Sequence, residues 1–92
     1  MQKILKQSTQ FKKDLKKYVH QPSKLLTLKA VTVALKETGH VPREYKPHML
    51  TGNYKGFMEC HIEDDFLLIW IDEAENTIKL VRIGSHHELF GK

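Results

Sequence analysis

The sequence predicts an α+β domain: two N-terminal helices followed by a twisted, mainly antiparallel sheet of about four to five strands. Three observations predict it. Two stretches between residues 9 and 38 space their apolar side chains as helices do. Three strand-like runs then follow one another from Phe57 to Ile83, joined by connections short enough for hairpins. The middle run, Phe66 to Ile71, is continuously apolar. A strand apolar on both faces is usually covered on both, which places it at the centre of the sheet.

Taken in order, Lys3 to Gln7 suits a short first strand, and Ser8 or Thr9 offers a helix N-cap. Phe11, Leu15, Tyr18 and Val19 form one stripe of the first helix, with Lys12, Lys13, Lys16 and Lys17 mostly outside it. Pro22 suits the first turn of a second helix that runs to Thr38 and ends at Gly39. Leu25, Leu28, Val31 and Leu35 mark one side of that helix; Leu26, Ala30 and Val33 lie opposite. Two apolar sides imply a helix sandwiched between the sheet and the first helix, or one whose second side awaits a partner chain. Residues 40–55 read as a loop punctuated by Pro42, Pro47 and Gly52, with a short strand near His48 to Leu50. A loop this long in so small a domain is more often functional than idle. The strands Phe57–Ile62, Phe66–Asp72 and Thr77–Ile83 complete the domain, which is expected to span residues 1–92 as one unit.

Composition narrows the function. The net charge of +4 hides an asymmetry: residues 1–55 carry +9 and residues 56–92 carry −5. A basic half suits a polyanion such as RNA, or an acidic protein partner. Cys60 is the only cysteine, so no internal disulfide is possible and a reducing cytoplasm is the expected setting. No apolar run is long enough to span a bilayer, and no signal-peptide core follows the N-terminal charges, so no membrane partner is expected. Neither Cys-x-x-Cys nor His-Glu-x-x-His spacing occurs, so no metal and no cofactor are expected.

Hairpin arithmetic gathers the chemistry. A three-residue first loop sets Ile62 opposite Phe66 and His61 opposite Leu67. A four-residue second loop sets Asp72 opposite Thr77 and Leu67 opposite Arg82. Directly paired residues share a face, so His61, Leu67 and Arg82 would form one row. Asp65 would lie beside His61, and Ser85, His86 and His87 would fall just past the end of the row. A slip of one residue in either hairpin would separate His61 from Arg82. Cys60, by alternation, points away from the His61 face. Such a set suits phosphoryl chemistry on RNA. A base takes the proton of a 2′-hydroxyl, an acid protonates the departing 5′-oxygen, and a fixed cation holds the charge on the phosphoryl oxygens. Histidine serves the proton steps, and arginine, always charged and forked, serves the last.

The order and spacing of several pieces resemble the YafQ-like branch of the RelE/ParE toxin superfamily. These are Tyr45-Lys46-Pro47-His48, Leu50-Thr51-Gly52 with Lys55-Gly56, His61 with Asp65, Arg82-Ile83-Gly84-Ser85-His86, and Leu89-Phe90-Gly91. The resemblance covers nearly the whole chain. It implies helices packed on the sheet, a toxin of a type II toxin–antitoxin pair, mRNA cleavage in the ribosomal A site, and inhibition by a cognate antitoxin. It places active-site residues at His48, His61, Asp65, Arg82, His86 and Phe90. Phe66 stands where the branch's namesake has a tryptophan, a difference expected to alter contacts to base or ribosome; the extra His87 competes with His86.

The combined reading is a cytoplasmic, metal-independent endoribonuclease. Arg82 clamps the scissile phosphate, His86 acts as general acid, and His61 or Asp65 acts as base with His48 assisting. The first helix's lysines, Lys46 and Lys55 contact RNA backbone, and Phe90 either packs in the core or stacks on a base. The alternatives are a ParE-like non-catalytic inhibitor of a protein target and a plain RNA-binding module.

Overall fold

The chain alternates as β1 (Ile4–Gln7), α1 (Thr9–Lys16), α2 (Pro22–Thr38), β2 (His48–Met49), β3 (Met58–Glu63), β4 (Phe66–Glu73), β5 (Thr77–Gly84) and α3 (His86–Phe90). The computed structural model describes residues 2–91; Met1 and Lys92, the ends of the expected domain, lie outside the described residues. The five strands make one sheet in the order β1-β5-β4-β3-β2, with β1 parallel to β5 and every other pairing antiparallel. The expected α+β class holds, and the apolar β4 lies in the middle of the sheet. No helix among the described residues is long and apolar enough to cross a membrane.

The helices begin and end where their caps dictate. Ser8 Oγ accepts the backbone N–H of Phe11 at 2.9 Å and so starts α1. Pro22 opens α2, and Gly39 closes it in the left-handed conformation. Two expectations need correction. The first helix ends at Lys16, so Tyr18 is buried from a turn and Val19 is left exposed. The second helix is not sandwiched: Leu28, Val31 and Leu35 are buried, while Leu26 and Val33 are 72% and 41% exposed. The reason is that α1 packs on β5 and α2 on β3, so α1 does not cover the outer side of α2.

β4 serves two cores at once. Phe66, Leu68 and Trp70 join Phe11, Leu28, Val31 and Leu35 beneath the helices. Leu67 and Ile69 point the other way and pack with Leu89, flanked by Leu50, Tyr54, Phe57, Val81 and Phe90. The second face is thus covered in part by the 50–57 loop and α3, and its remainder is open.

Register decides what stands on that open face. His61 pairs with Leu67 as expected, but an irregularity between His61 and Glu63 puts Glu63, not Ile62, opposite Phe66. The second hairpin turns through Glu75 and Asn76, both at positive φ, and pairs Glu73 with Thr77 and Asp72 with Ile78. That is one residue off the expected register. A β-bulge then falls between Ile69 and Trp70, so Arg82 pairs with Ile69 and Gly84 pairs with Leu67. One slip alone would have thrown Arg82 to the helix side. The two slips add, and Arg82 returns to the His61 face one pair further along than expected.

Candidate active site

Two adjacent rows of side chains build the site. The first runs across four strands as His48, Glu59, Ile69 and Arg82. The second runs as His61, Leu67 and Gly84. Arg82 therefore does not share a row with His61, as the hairpin arithmetic expected; it occupies the neighbouring row of the same face. Gly84 ends the second row because α3 folds back over it. A Cβ there would come within 3.0 Å of Glu88 Oε1 and 3.3 Å of Leu89 Cδ2. The fold-back carries His86 and Phe90 over the sheet.

The result is a line of rings. The centroids of His48 and His61 are 6.0 Å apart, those of His61 and His86 6.0 Å, those of His86 and Phe90 6.4 Å, and those of Phe90 and Tyr54 5.5 Å. The three histidines come from β2, β3 and α3, and all are at least partly open to solvent. His87, on the same helix as His86, is exposed, and it is His86 that meets His61 and Asp65.

Each imidazole has its own tether. Asp65 Oδ1 accepts both the backbone N–H of His86 at 2.9 Å and its Nδ1–H at 2.7 Å. These two bonds, the backbone one first, hold the Asp65 carboxyl below its ordinary range. An ionised carboxylate on Nδ1 leaves Nε2 of His86 free to face a substrate. His48 Nδ1 lies 2.8 Å from the carbonyl oxygen of Lys46, a residue in the left-handed conformation. A carbonyl only accepts, so Nδ1 carries hydrogen. The other nitrogen, Nε2, lies 3.0 Å from Glu59 Oε1.

Arg82 is held from α1. Its Nε and Nη2 donate to Asp14 Oδ2 and Oδ1, each at 3.0 Å, and the Ile83 backbone N–H donates to Oδ2 at 3.2 Å. Burial, the largest single influence on Asp14, favours its neutral form. The hydrogen bonds from Arg82, Gln10 and Ile83 together outweigh it, so the carboxyl stays below its ordinary range. In return the Asp14 bond, with weaker help from Tyr54 and Glu88, holds the guanidinium above its ordinary value against burial.

Two residues and one short helix of this site escaped the sequence reading. Glu59 is 4% exposed, and its Oε2 has no hydrogen-bond partner among the described residues. Its position two residues before His61 on one strand was a sufficient signal, since i and i+2 share a face. Asp14 had no such local signal. The helix that carries His86 did: Ser85-x-x-Glu88 is a capping box, and both of its reciprocal bonds form. Of the other expected residues, Lys46 and Lys55 are exposed at opposite ends of the 46–55 loop. Phe90 is half-buried against the Leu67–Ile69–Leu89 cluster while also facing His86, so it packs and lines the site together. Phe66 is different. It is 1% exposed, on the helix side, 4.6 Å from the Tyr18 ring, and so offers no ring surface to a base or to the ribosome, in keeping with the altered contacts expected at this position. Cys60 also faces the helices, and burial pushes its thiol up to about 12, which leaves it inert at neutral pH.

His48, Glu59 and His61 bring three donor atoms within 4.8 Å of one another. No sequence spacing announces this set, because it forms across the β2–β3 pair. It could hold one divalent ion.

Similarity to known proteins follows the same lines. A family model described as the bacterial toxin of type II toxin–antitoxin system, YafQ, matches residues 3–91. The mRNA interferase toxin YafQ of Escherichia coli is 32% identical over 92 residues, covering 99% of each chain. The crystal structure of the E. coli DinJ–YafQ toxin–antitoxin complex contains a chain with TM-score 0.85 and 30% identity, covering 99% of this chain and 100% of that one. A metal-bound toxin from Helicobacter pylori superposes with TM-score 0.84 and 41% identity, covering 98% and 100%.

Proposed function

The chain belongs to the YafQ family of bacterial toxins from type II toxin–antitoxin systems, and on that premise we propose that it is an endoribonuclease that cleaves mRNA. The observation that carries this reading is the line of His48, His61 and His86 over one sheet face, with Arg82 in the adjoining row. Two proton carriers and one fixed cation are what attack by a 2′-hydroxyl requires.

The steps follow from the tethers. Arg82 binds two non-bridging oxygens of the scissile phosphate and balances the charge that gathers there. His61, central in the line, takes the 2′-hydroxyl proton as the 2′-oxygen bonds to phosphorus. His86, oriented through Nδ1 by Asp65, delivers a proton from Nε2 to the 5′-oxygen as the P–O5′ bond breaks. His48 assists from the far end, where Glu59 and the Lys46 carbonyl hold its ring. Asp65 acts by orienting His86, since the same oxygen already accepts two bonds from that residue. Phe90 and Tyr54 offer ring surface to a base beside the cleaved bond. The lysines of α1, with Lys46 and Lys55, contact RNA backbone. The ring line needs no metal for these steps, and the substrate is mRNA in the ribosomal A site.

Pure protein incubated with mRNA, with and without translating ribosomes, tests the reading. Expected products carry 5′-hydroxyl ends and cyclic or 3′-phosphate ends, cuts fall at the A-site codon, and a chelator selective for transition metals, which spares the Mg²⁺ that ribosomes need, leaves the rate unchanged. Fragments with 5′-phosphate ends would overturn 2′-hydroxyl attack, and loss of cleavage with that chelator would overturn the metal-free step.

The partner that restrains the enzyme is a cognate antitoxin. The DinJ–YafQ complex supports this by likeness, and the exposed Leu26–Val33 side of α2 beside the basic half offers a seat for an acidic, amphipathic segment. Leu26→Asp is expected to weaken that complex at least tenfold by titration, with cleavage unchanged; unchanged affinity removes α2 from the interface.

A further inference from the structure

We propose that Asp14 is a positioning residue of the cleavage site: its buried carboxylate grips one edge of the Arg82 guanidinium and so aims the other edge at the scissile phosphate. The inference rests on the reading of Arg82 as the phosphate clamp.

The pairing of β1 with β5 ends at Gln7 and Leu80. Beyond that point the outer edge of β5 would carry unpaired backbone groups, which a fold must satisfy. Ser8 first takes over, donating its backbone N–H to the Leu80 carbonyl at 3.0 Å and its hydroxyl to the Val81 carbonyl at 2.7 Å. Asp14, almost two turns further along α1, then accepts the Ile83 N–H. In that place its carboxylate does the work of a neighbouring strand and also meets the preceding side chain, Arg82.

The carboxylate is saturated. Oδ2 takes Arg82 Nε and Ile83 N; Oδ1 takes Arg82 Nη2 and, at 3.0 Å, Gln10 Nε2. At 1% exposure, the carboxylate is shut off from solvent and finds all its partners within the protein. The guanidinium has five N–H donors, and this grip uses two on one side. Three remain, on Nη1 and the outer Nη2, and that free edge is the one two phosphate oxygens can take in parallel. The Arg82 side chain is 22% exposed and that of Asp14 1%, so the arginine keeps an open side while the carboxylate that grips it does not.

The grip has a chemical cost that makes it testable. A carboxylate beside the clamp cancels much of its long-range attraction for RNA, so Asp14 should hinder general binding while aiding the chemical step. A helper of orientation acts on kcat, whereas a source of affinity acts on KM. A misplacement of about 1 Å at such a group costs roughly a hundredfold in rate.

The test is a cycle of Asp14→Asn, Arg82→Ala and the double variant, each measured for kcat and KM on a defined RNA and for folded fraction by circular dichroism. Asp14→Asn is expected to lower kcat about 10- to 100-fold with KM equal or smaller, and to add nothing in the Arg82→Ala background. A further drop in the double variant would show that Asp14 acts through general stability and would overturn the inference. So would folded Asp14→Asn protein with the original kcat. If Arg82→Ala itself cleaves at the original rate, the clamp reading fails first, and the inference falls with it. Should Asp14→Asn not fold, Asp14→Glu keeps the charge while displacing the guanidinium, and the same two outcomes decide.

Discussion

The two faces of β4 differ by a single step along the strand, and they do different work. Phe66, Leu68 and Trp70 face two helices and belong to a cluster of fourteen buried residues. Leu67 and Ile69 face a cluster of three, roofed only in part by a loop and one short helix. The first face supplies most of the apolar burial that holds so short a chain folded. The second gives up cover, and what stands in the gap is polar and titratable: His48, Glu59, His61, His86 and Arg82. A site of this kind sits on a rigid floor without being part of the main core. Changes on the two faces should therefore separate cleanly into folding effects and rate effects.

The largest contrast is expected between His86→Ala and Phe66→Ala. His86→Ala should lower kcat/KM by about 10²- to 10⁴-fold, with the thermal midpoint nearly unchanged, because Asp65 still accepts the backbone N–H at position 86. Phe66→Ala should do the reverse. Loss of a fully buried ring costs roughly 3–5 kcal/mol, seen in urea unfolding, while the protein that remains folded keeps its rate. If Phe66→Ala alters the rate of the folded fraction, the separation of the two faces is broken.

Gly84→Ala probes the point where the faces meet. The added methyl would crowd Glu88 and Leu89 at 3.0–3.3 Å, and α3 is expected to shift away from it at a cost of about 1–3 kcal/mol. The same movement draws His86 away from His61. A loss in both melting temperature and kcat sharpens the view that the open face depends on this fold-back; a loss in stability alone would show that α3 reseats without moving its histidine.

The smallest effect is in acid. Asp14 and Asp65 both have folded pKa values below their ordinary ones. Each therefore contributes stability that is present above the unfolded value of about 3.9 and is lost as the pH falls through the folded value. Asp14 is buried on the inner side of α1, and Asp65 is open to solvent, where screening weakens its share. Between pH 5 and 2, Asp14→Asn should flatten the fall of unfolding free energy more than Asp65→Asn does. An equal or reversed order would mean that the exposed pair with His86 is the stronger of the two.

Much of this was legible from local pattern. The β4 run announced a doubly covered strand, the caps at Ser8, Pro22 and Gly39 marked the helices, and His61 was matched to Leu67. The outer side of α2 misled, because apolar residues at helical spacing say that a surface is apolar and not that the same chain covers it. The depth of Phe66 was not legible either, because its place at the start of an apolar run does not say which side of the sheet it faces.

Strand alternation, helix periodicity, capping and the split of charge along the chain are set by neighbouring residues, and the sequence determined them unaided. Three things were decided only by the tertiary structure. One turn shape and one bulge set the row in which Arg82 stands, because register is a sum of small offsets that no hydrophobic pattern records. The meeting of His48 with Glu59 arises across the β2–β3 pair. The grip of Asp14 on Arg82 joins residues 68 positions apart, where α1 takes the place of a missing strand. Such contacts follow from where elements lie against one another in space, which depends on every loop between them.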